Sequence, residues 1–244
     1  MEAIYITHLK KVYDKTVVIN DLSLSIPQGE LFVLLGGKNS GKSTLLKMLA
    51  CLVPPTSGDA ALMGYSITGD KSRAMKTLQY TPHEMGLSPE LTTRENLELF
   101  ASFYGLHKRE AQERAGHIMG MCDLVDKEHT KVKDLPLGLQ QRLSFAMAIV
   151  SHPAILLVDE FAHVLPHLAK REIWHMLMQV KRKITLVLAT ENTEEADILA
   201  DRIGVLVNGR LCAVGTKDEL LTKTGTHSLA QALAVLQKDE EAAV

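Results

Sequence analysis

A glycine-rich stretch that follows an apolar run is the strongest chemical pattern in the sequence. It fits GxxxxGK[ST], and the strand-like run Leu31 to Leu35 comes immediately before it. In such a stretch, inward-facing N–H groups and the positive end of the next helix bind phosphate oxygens. The alternative is a glycine-rich turn before an ordinary helix. The stretch consists of Gly36, Gly37, Lys38, Asn39, Ser40, Gly41, Lys42, Ser43 and Thr44.

The residue types in this stretch predict how a nucleotide would be held. Gly36 and Gly41 allow the backbone to approach the phosphates closely. Lys42 is expected to bridge the β- and γ-phosphates, and Ser43 to ligate Mg²⁺. We therefore predict that residues 36–44 bind a nucleotide together with Mg²⁺.

A second pattern is an acidic pair at the end of another apolar run. The run Ile155 to Val158 is followed directly by Asp159 and Glu160. In α/β proteins, ligands lie at the carboxyl ends of the parallel strands. Asp159 is expected to hold the Mg²⁺ shell, and Glu160 to polarise the attacking water. Alone, such a pair is more often a solvated strand end, but the phosphate stretch upstream favours the functional interpretation.

Three short apolar runs must position these residues. The runs Leu31 to Leu35, Ile155 to Val158 and Ile184 to Ala189 have the length and composition of buried parallel strands. Between the last two, Leu168 to Arg182 has apolar residues at helical spacing. The pattern predicts a strand, a helix and a further strand.

The middle and the end of the chain are predicted to be helical. Glu95 to Val150 forms a helical insert that opens at Thr92, because Thr92 can cap the first turn while Glu95 reaches back to it. Ser228 to Gln237 carries leucines on one face and predicts a closing amphipathic helix.

Length, charge and cysteine content limit the possible functions. With 244 residues and 46% hydrophobic content, the chain is suited to one large domain. A formal charge of -2 does not favour nucleic acid as a partner. The cysteines at positions 51, 122 and 212 are typical of reduced cytosolic thiols. We find neither a signal peptide nor an apolar run of about 20 residues, so any membrane-spanning part is expected on another chain.

These motifs and their surroundings resemble the ATP-binding-cassette (ABC) ATPases, especially the ATP-binding subunits of drug, sodium and antibiotic efflux transporters. The resemblance covers nearly the whole chain. Its further segments are Lys11-Val12-Tyr13-Asp14, Asn20-Asp21-Leu22-Ser23, Gly29-Glu30-Leu31-Phe32, Asp201-Arg202-Ile203 and Asn208-Gly209-Arg210.

The resemblance implies a fold and further contacts. The fold is expected to be α/β, a P-loop (RecA-like) core with an N-terminal antiparallel β portion. Residues 1–244 are expected to form one nucleotide-binding domain with a helical subdomain at about 86–150. Tyr13 falls where the family stacks a ring on adenine, although composition alone favours a half-buried strand tyrosine equally. Pro89 to Leu97 resembles the segment that faces the membrane partner.

The sequence also departs from the family's active-site pattern. The signature Leu-Ser-Gly-Gly-Gln is replaced by Leu135-Pro136-Leu137-Gly138-Leu139. Pro136 provides neither a hydroxyl nor an N–H, and Leu137 adds a branched side chain where close approach is needed. His83 replaces the glutamine beside the Mg²⁺ and the attacking water, and we keep it as a catalytic candidate. The loop after Glu160 reads His163-Val164-Leu165-Pro166 and lacks the family's aspartate.

The family's switch histidine is replaced by Glu191. At about 4 Å from a γ-phosphate charge, a carboxylate would be repelled by roughly 4 kcal/mol at an effective dielectric near 20. One hypothesis is that His83 pairs with Glu191 and reduces this repulsion. The other is that both positions have drifted because rapid turnover is not required.

We therefore expect an ATP-binding subunit that works with a transmembrane transporter subunit and a second nucleotide-binding subunit, in a homo- or heterodimer. The altered positions predict slow or asymmetric hydrolysis. One alternative is a regulatory pseudo-ATPase that binds ATP without significant turnover. Another is a soluble cassette protein of translation or DNA repair, which usually has fused cassettes or a long insert. The expected location is the cytoplasmic face of a membrane, reached through a partner.

Overall fold

The computed structural model describes residues 1–81, 86–160 and 167–242. Within these ranges the chain is a mixed α/β protein whose strands form two sheets. No helix among the described residues is long and apolar enough to span a bilayer.

The first sheet is antiparallel, with the strand order β2-β1-β4-β5. Residues such as Ile4, Ile6 and Leu9 are buried in a core beneath it. The predicted N-terminal antiparallel portion is therefore confirmed. Its strands are β1 (Glu2–Tyr13), β2 (Thr16–Pro27), β4 (Ser57–Leu62) and β5 (Tyr65–Ser66).

The second sheet carries the chemistry and has the strand order β10-β9-β3-β8-β7-β6. The neighbouring strands β3, β8 and β7 are parallel and fully buried, which explains their uninterrupted apolar composition. All three predicted strands are confirmed, and their carboxyl ends share one edge. The strands are β3 (Leu31–Leu35), β6 (Leu78–Thr81), β7 (Ile155–Asp159), β8 (Thr185–Thr190), β9 (Arg202–Val207) and β10 (Arg210–Gly215).

Helices connect these strands and form most of the middle segment. α3 begins with the predicted capping box, because Thr92 Oγ1 accepts from Glu95 N at 3.2 Å and Glu95 Oε2 accepts from Thr92 N at 2.8 Å. The predicted helices after Leu168 and Ser228 are also present. The described helices are α1 (Lys42–Leu49), α2 (Lys71–Lys76), α3 (Thr93–Phe103), α4 (Lys108–Met121), α5 (Leu137–Val150), α6 (His167–Val180), α7 (Thr193–Leu199), α8 (Lys217–Thr224) and α9 (Leu229–Ala242).

The chain divides into two compact units. The first comprises residues 1–80, 154–160 and 181–244, and the second residues 81–153 and 161–180. The predicted helical subdomain, at about 86–150, lies within the second unit, which also includes α6. The grouping of 1–244 into one nucleotide-binding domain stays a prediction.

Candidate functional site

The loop between β3 and α1 forms a turn that requires glycine at two positions. A Cβ at Gly36 would lie 2.4 Å from the carbonyl oxygen of Leu206 and 2.6 Å from Ser40 Oγ. Gly41 has a φ of 105° and forms the N-cap of α1. Asn39 also has a left-handed φ, of 60°. This backbone leads directly into the first turn of α1, and a glycine-rich loop followed by a helix start is the arrangement that binds phosphate in other proteins.

The lysine of this loop is held inside it. Lys42 is 4% exposed, and its ammonium Nζ donates to the carbonyl oxygens of Gly36 at 3.0 Å and Gly37 at 2.8 Å. Gly36 N in turn donates to Thr190 O at 3.2 Å, which ties the loop to the end of β8. These contacts position a buried cation at the loop.

The two predicted magnesium residues are in direct contact. Ser43 Oγ donates to Asp159 Oδ1 at 3.0 Å, although the two residues lie 116 positions apart in sequence. Asp159 ends β7 and is 4% exposed. A hydroxyl and a carboxylate are oxygen ligands of the kind that Mg²⁺ prefers. The structure therefore brings the phosphate loop and the acidic pair together.

Tyr80 is a site residue that the sequence did not reveal. Its hydroxyl donates to Asp159 Oδ2 at 3.1 Å from the strand β6. Burial raises the pKa of Tyr80, and the charge and hydrogen bond of Asp159 raise it further. The phenol is therefore a proton donor at neutral pH. The chain offers no motif for this role, because strand pairing alone brings the tyrosine here.

Glu160 follows Asp159 in an unusual backbone conformation. Its φ is 48°, and its N–H donates to Ala189 O at 3.0 Å. Its Oε1 lies 3.5 Å from Lys42 Nζ, with 26% of the side chain exposed. The carboxylate predicted to polarise water thus contacts the lysine predicted to bind phosphate.

A cavity of about 640 Å³ opens beside the loop. Its wall comprises Thr16, Val17, Val18, residues 38–44, Glu160 and Asn208. Tyr13 is not part of this wall. The residue is 43% exposed, and Lys11 Nζ lies 4.7 Å from the centroid of its ring. The adenine-stacking role of Tyr13 stays a prediction.

The altered family positions are only partly described. His83 and the segment 163–166 lie outside the described residues, so the catalytic role of His83 and its pairing with Glu191 stay predictions. Glu191 follows β8 directly and precedes Asn192, which caps α7. Pro136 is the N-cap residue of α5, and Leu137 is 43% exposed at its first turn.

The residues present fit a nucleotide phosphate with a divalent cation. Ser40 Oγ is buried and has no hydrogen-bond partner within the described part of the chain. The closely packed glycine, the buried lysine and the paired Ser43 and Asp159 supply the donors and oxygen ligands that such a group needs.

Comparison with known proteins gives the family. Residues 19–163 match the family model described as ABC transporter. The linearmycin resistance ATP-binding protein LnrL of Bacillus subtilis (strain 168) is 31% identical over 92% of this chain and 72% of that protein. The phospholipid-transporting ATPase ABCA3 of Homo sapiens is 34% identical over 91% of this chain, but the match spans only 13% of ABCA3.

Solved structures agree with this assignment. The structure of the ATP-binding subunit of an ABC transporter has a TM-score of 0.85 to this chain and 26% identity, and the match covers 96% of this chain and 99% of that one. A dimeric ATP-binding cassette in a post-hydrolysis state, bound to ADP and Pi, has a TM-score of 0.78 and 25% identity, with 87% and 98% covered. The chain belongs to the ABC transporter family, as an ATP-binding cassette whose cofactors are ATP and Mg²⁺.

Proposed function

We propose that this chain is the ATP-binding subunit of an efflux-type transporter that binds Mg-ATP, couples it to a separate membrane subunit, and hydrolyses it slowly or asymmetrically. The observation that carries the proposal is the contact between Ser43 Oγ and Asp159 Oδ1 at 3.0 Å, beside a buried Lys42. This contact supports the proposal because it joins the two residues that we expect to hold the Mg²⁺.

Nucleotide binding would depend on the loop and on the start of α1. Lys42 Nζ, which donates to Gly36 O and Gly37 O, would also donate to oxygens of the β- and γ-phosphates when a nucleotide binds. Backbone N–H groups of residues 38–44, other than that of Ser40, which donates to Gly37 O, would bind the remaining oxygens. Ser43 and Asp159 would hold the Mg²⁺, which supplies neutralising charge at the phosphates.

Slow hydrolysis follows from a mixture of retained and altered groups. Glu160 is placed at the carboxyl end of β7, where it could orient a water molecule. Phosphoryl transfer depends on positioning and charge stabilisation. A carboxylate at Glu191 would oppose the γ-phosphate charge where the family uses histidine. Pro136 and Leu137 would give a dimer partner's nucleotide few donors.

Two relatives support transport out of the cell. One is named for linearmycin resistance, and another, YbhF of Escherichia coli, for probable multidrug transport, with 33% identity over 87% of this chain and 37% of YbhF. The proposed partners are a transmembrane subunit and a second nucleotide-binding subunit. This arrangement would put the chain on the cytoplasmic face of a membrane. An intact signature on the second subunit would serve this chain's loop, and the altered signature here would leave the other site weak.

A regulatory pseudo-ATPase is the second candidate. The ion pair between Glu160 Oε1 and Lys42 Nζ, at 3.5 Å, favours it because both groups are then engaged with each other rather than with water or phosphate. In that case ATP binding would hold a membrane complex in one state without turnover.

Turnover measurements separate the two candidates. The purified chain is assayed for ATP hydrolysis alone and with its membrane and cassette partners, next to Glu160→Gln, while a separate assay measures Mg-ATP binding. Slow turnover that Glu160→Gln abolishes supports the transport ATPase. Binding without turnover in every combination supports the pseudo-ATPase, and absence of Mg-ATP binding contradicts both.

A further inference from the structure

The last helix of the chain lies beside the loop of residues 36–44. Leu236 of α9 is buried, and Glu240 Oε1 lies 3.4 Å from Arg210 Nε on β10. These contacts fix the helix against the sheet at the level of its last turns. Gln237 lies between these two anchors and places its side-chain amide next to Gly37.

Gln237 lies so close to Gly37 that a residue with a Cβ at position 37 would require a small adjustment of the glutamine side chain. A Cβ built on Gly37 would lie 3.2 Å from Gln237 Nε2, and no other described atom outside the chain neighbours lies within 4 Å of it. Gly37 does not have a left-handed φ, so alanine is compatible with its backbone. The side-chain amide of Gln237 is therefore the group that would have to shift, by a few tenths of an ångström, to admit alanine at position 37.

Gly37 is also the residue that holds the loop lysine. Its carbonyl oxygen accepts from Lys42 Nζ at 2.8 Å and from Ser40 N at 3.3 Å. A displacement of Gly37 would move the acceptor of Lys42 with it. Gln237 Nε2 occupies the space into which a Cβ on Gly37 would project, and a side chain there opposes displacement of Gly37 toward α9.

We propose that Gln237 is a positioning residue for the phosphate loop, which acts through Gly37 to keep Lys42 in place for the nucleotide. The inference rests on the proposed binding of Mg-ATP. It also makes α9 part of the nucleotide site, because occupancy of the loop and docking of the last helix then favour each other.

The test is a double-mutant cycle on the full-length chain. Affinities for Mg-ATP and Mg-ADP are measured by isothermal titration calorimetry for wild type, Gln237→Ala, Gly37→Ala and the double variant. Gln237→Ala is expected to lower Mg-ATP affinity by about threefold. The same change in the Gly37→Ala background has little further effect, because alanine already displaces the amide. Gln237→Met keeps the length of the side chain and restores most of the affinity.

Lys238→Ala is the matched control, since Lys238 is the exposed neighbour on the same helix. It leaves the affinity unchanged. A second readout needs no nucleotide: amide hydrogen exchange in residues 37–41 becomes faster in Gln237→Ala, while the thermal midpoint stays the same. Additive affinities, or unchanged exchange in the loop, overturn the role of Gln237. A wild-type chain that binds no Mg-ATP overturns the proposed function. Hydrogen exchange in residues 37–41 that is the same in Gln237→Ala and the wild type overturns only the role of Gln237, so the two failures can be told apart.

Discussion

The N-terminus of α1 and the N-terminus of α5 are two helix starts with the same polarity and different chemistry. α1 begins after Gly41, a left-handed glycine, and presents Lys42 and Ser43. α5 begins after Pro136, with no side-chain cap, and presents the exposed Leu137. Both ends carry free N–H groups and a partial positive charge. Only the first adds a buried cation and a hydroxyl.

The difference teaches that a helix start alone does not make a nucleotide site. At α1, Asp159 of β7 accepts a hydrogen bond from Ser43, and Tyr80 of β6 donates to the same carboxylate, which completes the metal site that we propose. At α5, the side-chain amide of Gln140 donates through Nε2 to Leu135 O at 2.9 Å, so this donor is used within the protein. We therefore expect the first region to determine nucleotide affinity and the second to affect turnover in the assembled dimer.

Removal of the loop lysine gives the largest expected effect on the first region. Lys42→Ala removes a buried ammonium and its charge-assisted bonds, so Mg-ATP affinity falls roughly a hundredfold. Lys47→Ala changes an exposed lysine on the same helix and leaves affinity unchanged. Calorimetric titration of both variants measures the difference. Equal affinities would show that the loop does not hold the phosphates.

Loss of the acidic ligand separates the metal from the phosphate. Asp159→Asn keeps the shape but removes the charge opposite Ser43 Oγ. The Mg²⁺ concentration needed for half-maximal ATP binding is expected to rise about 10- to 100-fold. Binding of ATP without metal changes much less. A titration of Mg²⁺ at fixed ATP measures both, and an unchanged Mg²⁺ requirement would remove Asp159 from the site.

Glu191, where the family has its switch histidine, is expected to affect turnover. Glu191→His replaces a carboxylate with the residue type that the family uses. We expect turnover in the assembled dimer to rise by about tenfold, because repulsion of the γ-phosphate is relieved. Glu194→His, at an exposed position in the first turn of α7, serves as the control. Steady-state phosphate release at saturating ATP makes the comparison. A rise in both variants, or in neither, would contradict this role for Glu191.

Restoration of the second region has a smaller effect. Pro136→Ser with Leu137→Gly returns a hydroxyl and space at the start of α5. The affinity of the isolated chain for Mg-ATP stays the same, while turnover of the dimer increases about threefold. A change in the affinity of the isolated chain would contradict the division between the regions. Light scattering on the same samples establishes which oligomer is assayed.

The smallest expected effect concerns the support of Asp159 at alkaline pH. Burial and Asp159 raise the folded-state pKa of Tyr80 above the ordinary value of about 10. The folded state therefore binds this proton more tightly than the unfolded state. The stabilisation that Tyr80 contributes in this way is fully present below about pH 10 and is lost as the pH rises toward the folded-state pKa. Urea unfolding between pH 8 and pH 11 measures this effect. The free energy of unfolding should decline less steeply with pH for Tyr80→Phe than for the wild type, and equal slopes would contradict the assignment.

Much of the fold and part of the site could be predicted because their signals are local. The strands β3, β7 and β8 are uninterrupted apolar runs, and the start of α3 has both residues of its capping box. The phosphate loop is contiguous in sequence. Asp159 could be paired with it because carboxyl ends of parallel strands share an edge.

The remaining parts depend on contacts between distant segments. Tyr80 reaches Asp159 across 79 positions, through the pairing of β6 with β7. Gln237 reaches Gly37 only after α9 has docked on the sheet. Neither residue belongs to a motif, and tyrosine in a strand and glutamine in a helix are both common. Their roles follow from tertiary packing, which no local pattern encodes.

The most direct test of the central claim is a single-turnover measurement with radiolabelled Mg-ATP on the purified chain. It determines bound and hydrolysed nucleotide in the same sample, and Glu160→Gln is the control. The account predicts saturable binding in both proteins, with slow conversion to ADP in the wild type that is lost in Glu160→Gln. Failure of the wild type to bind Mg-ATP, or conversion at the same rate in both proteins, would contradict it.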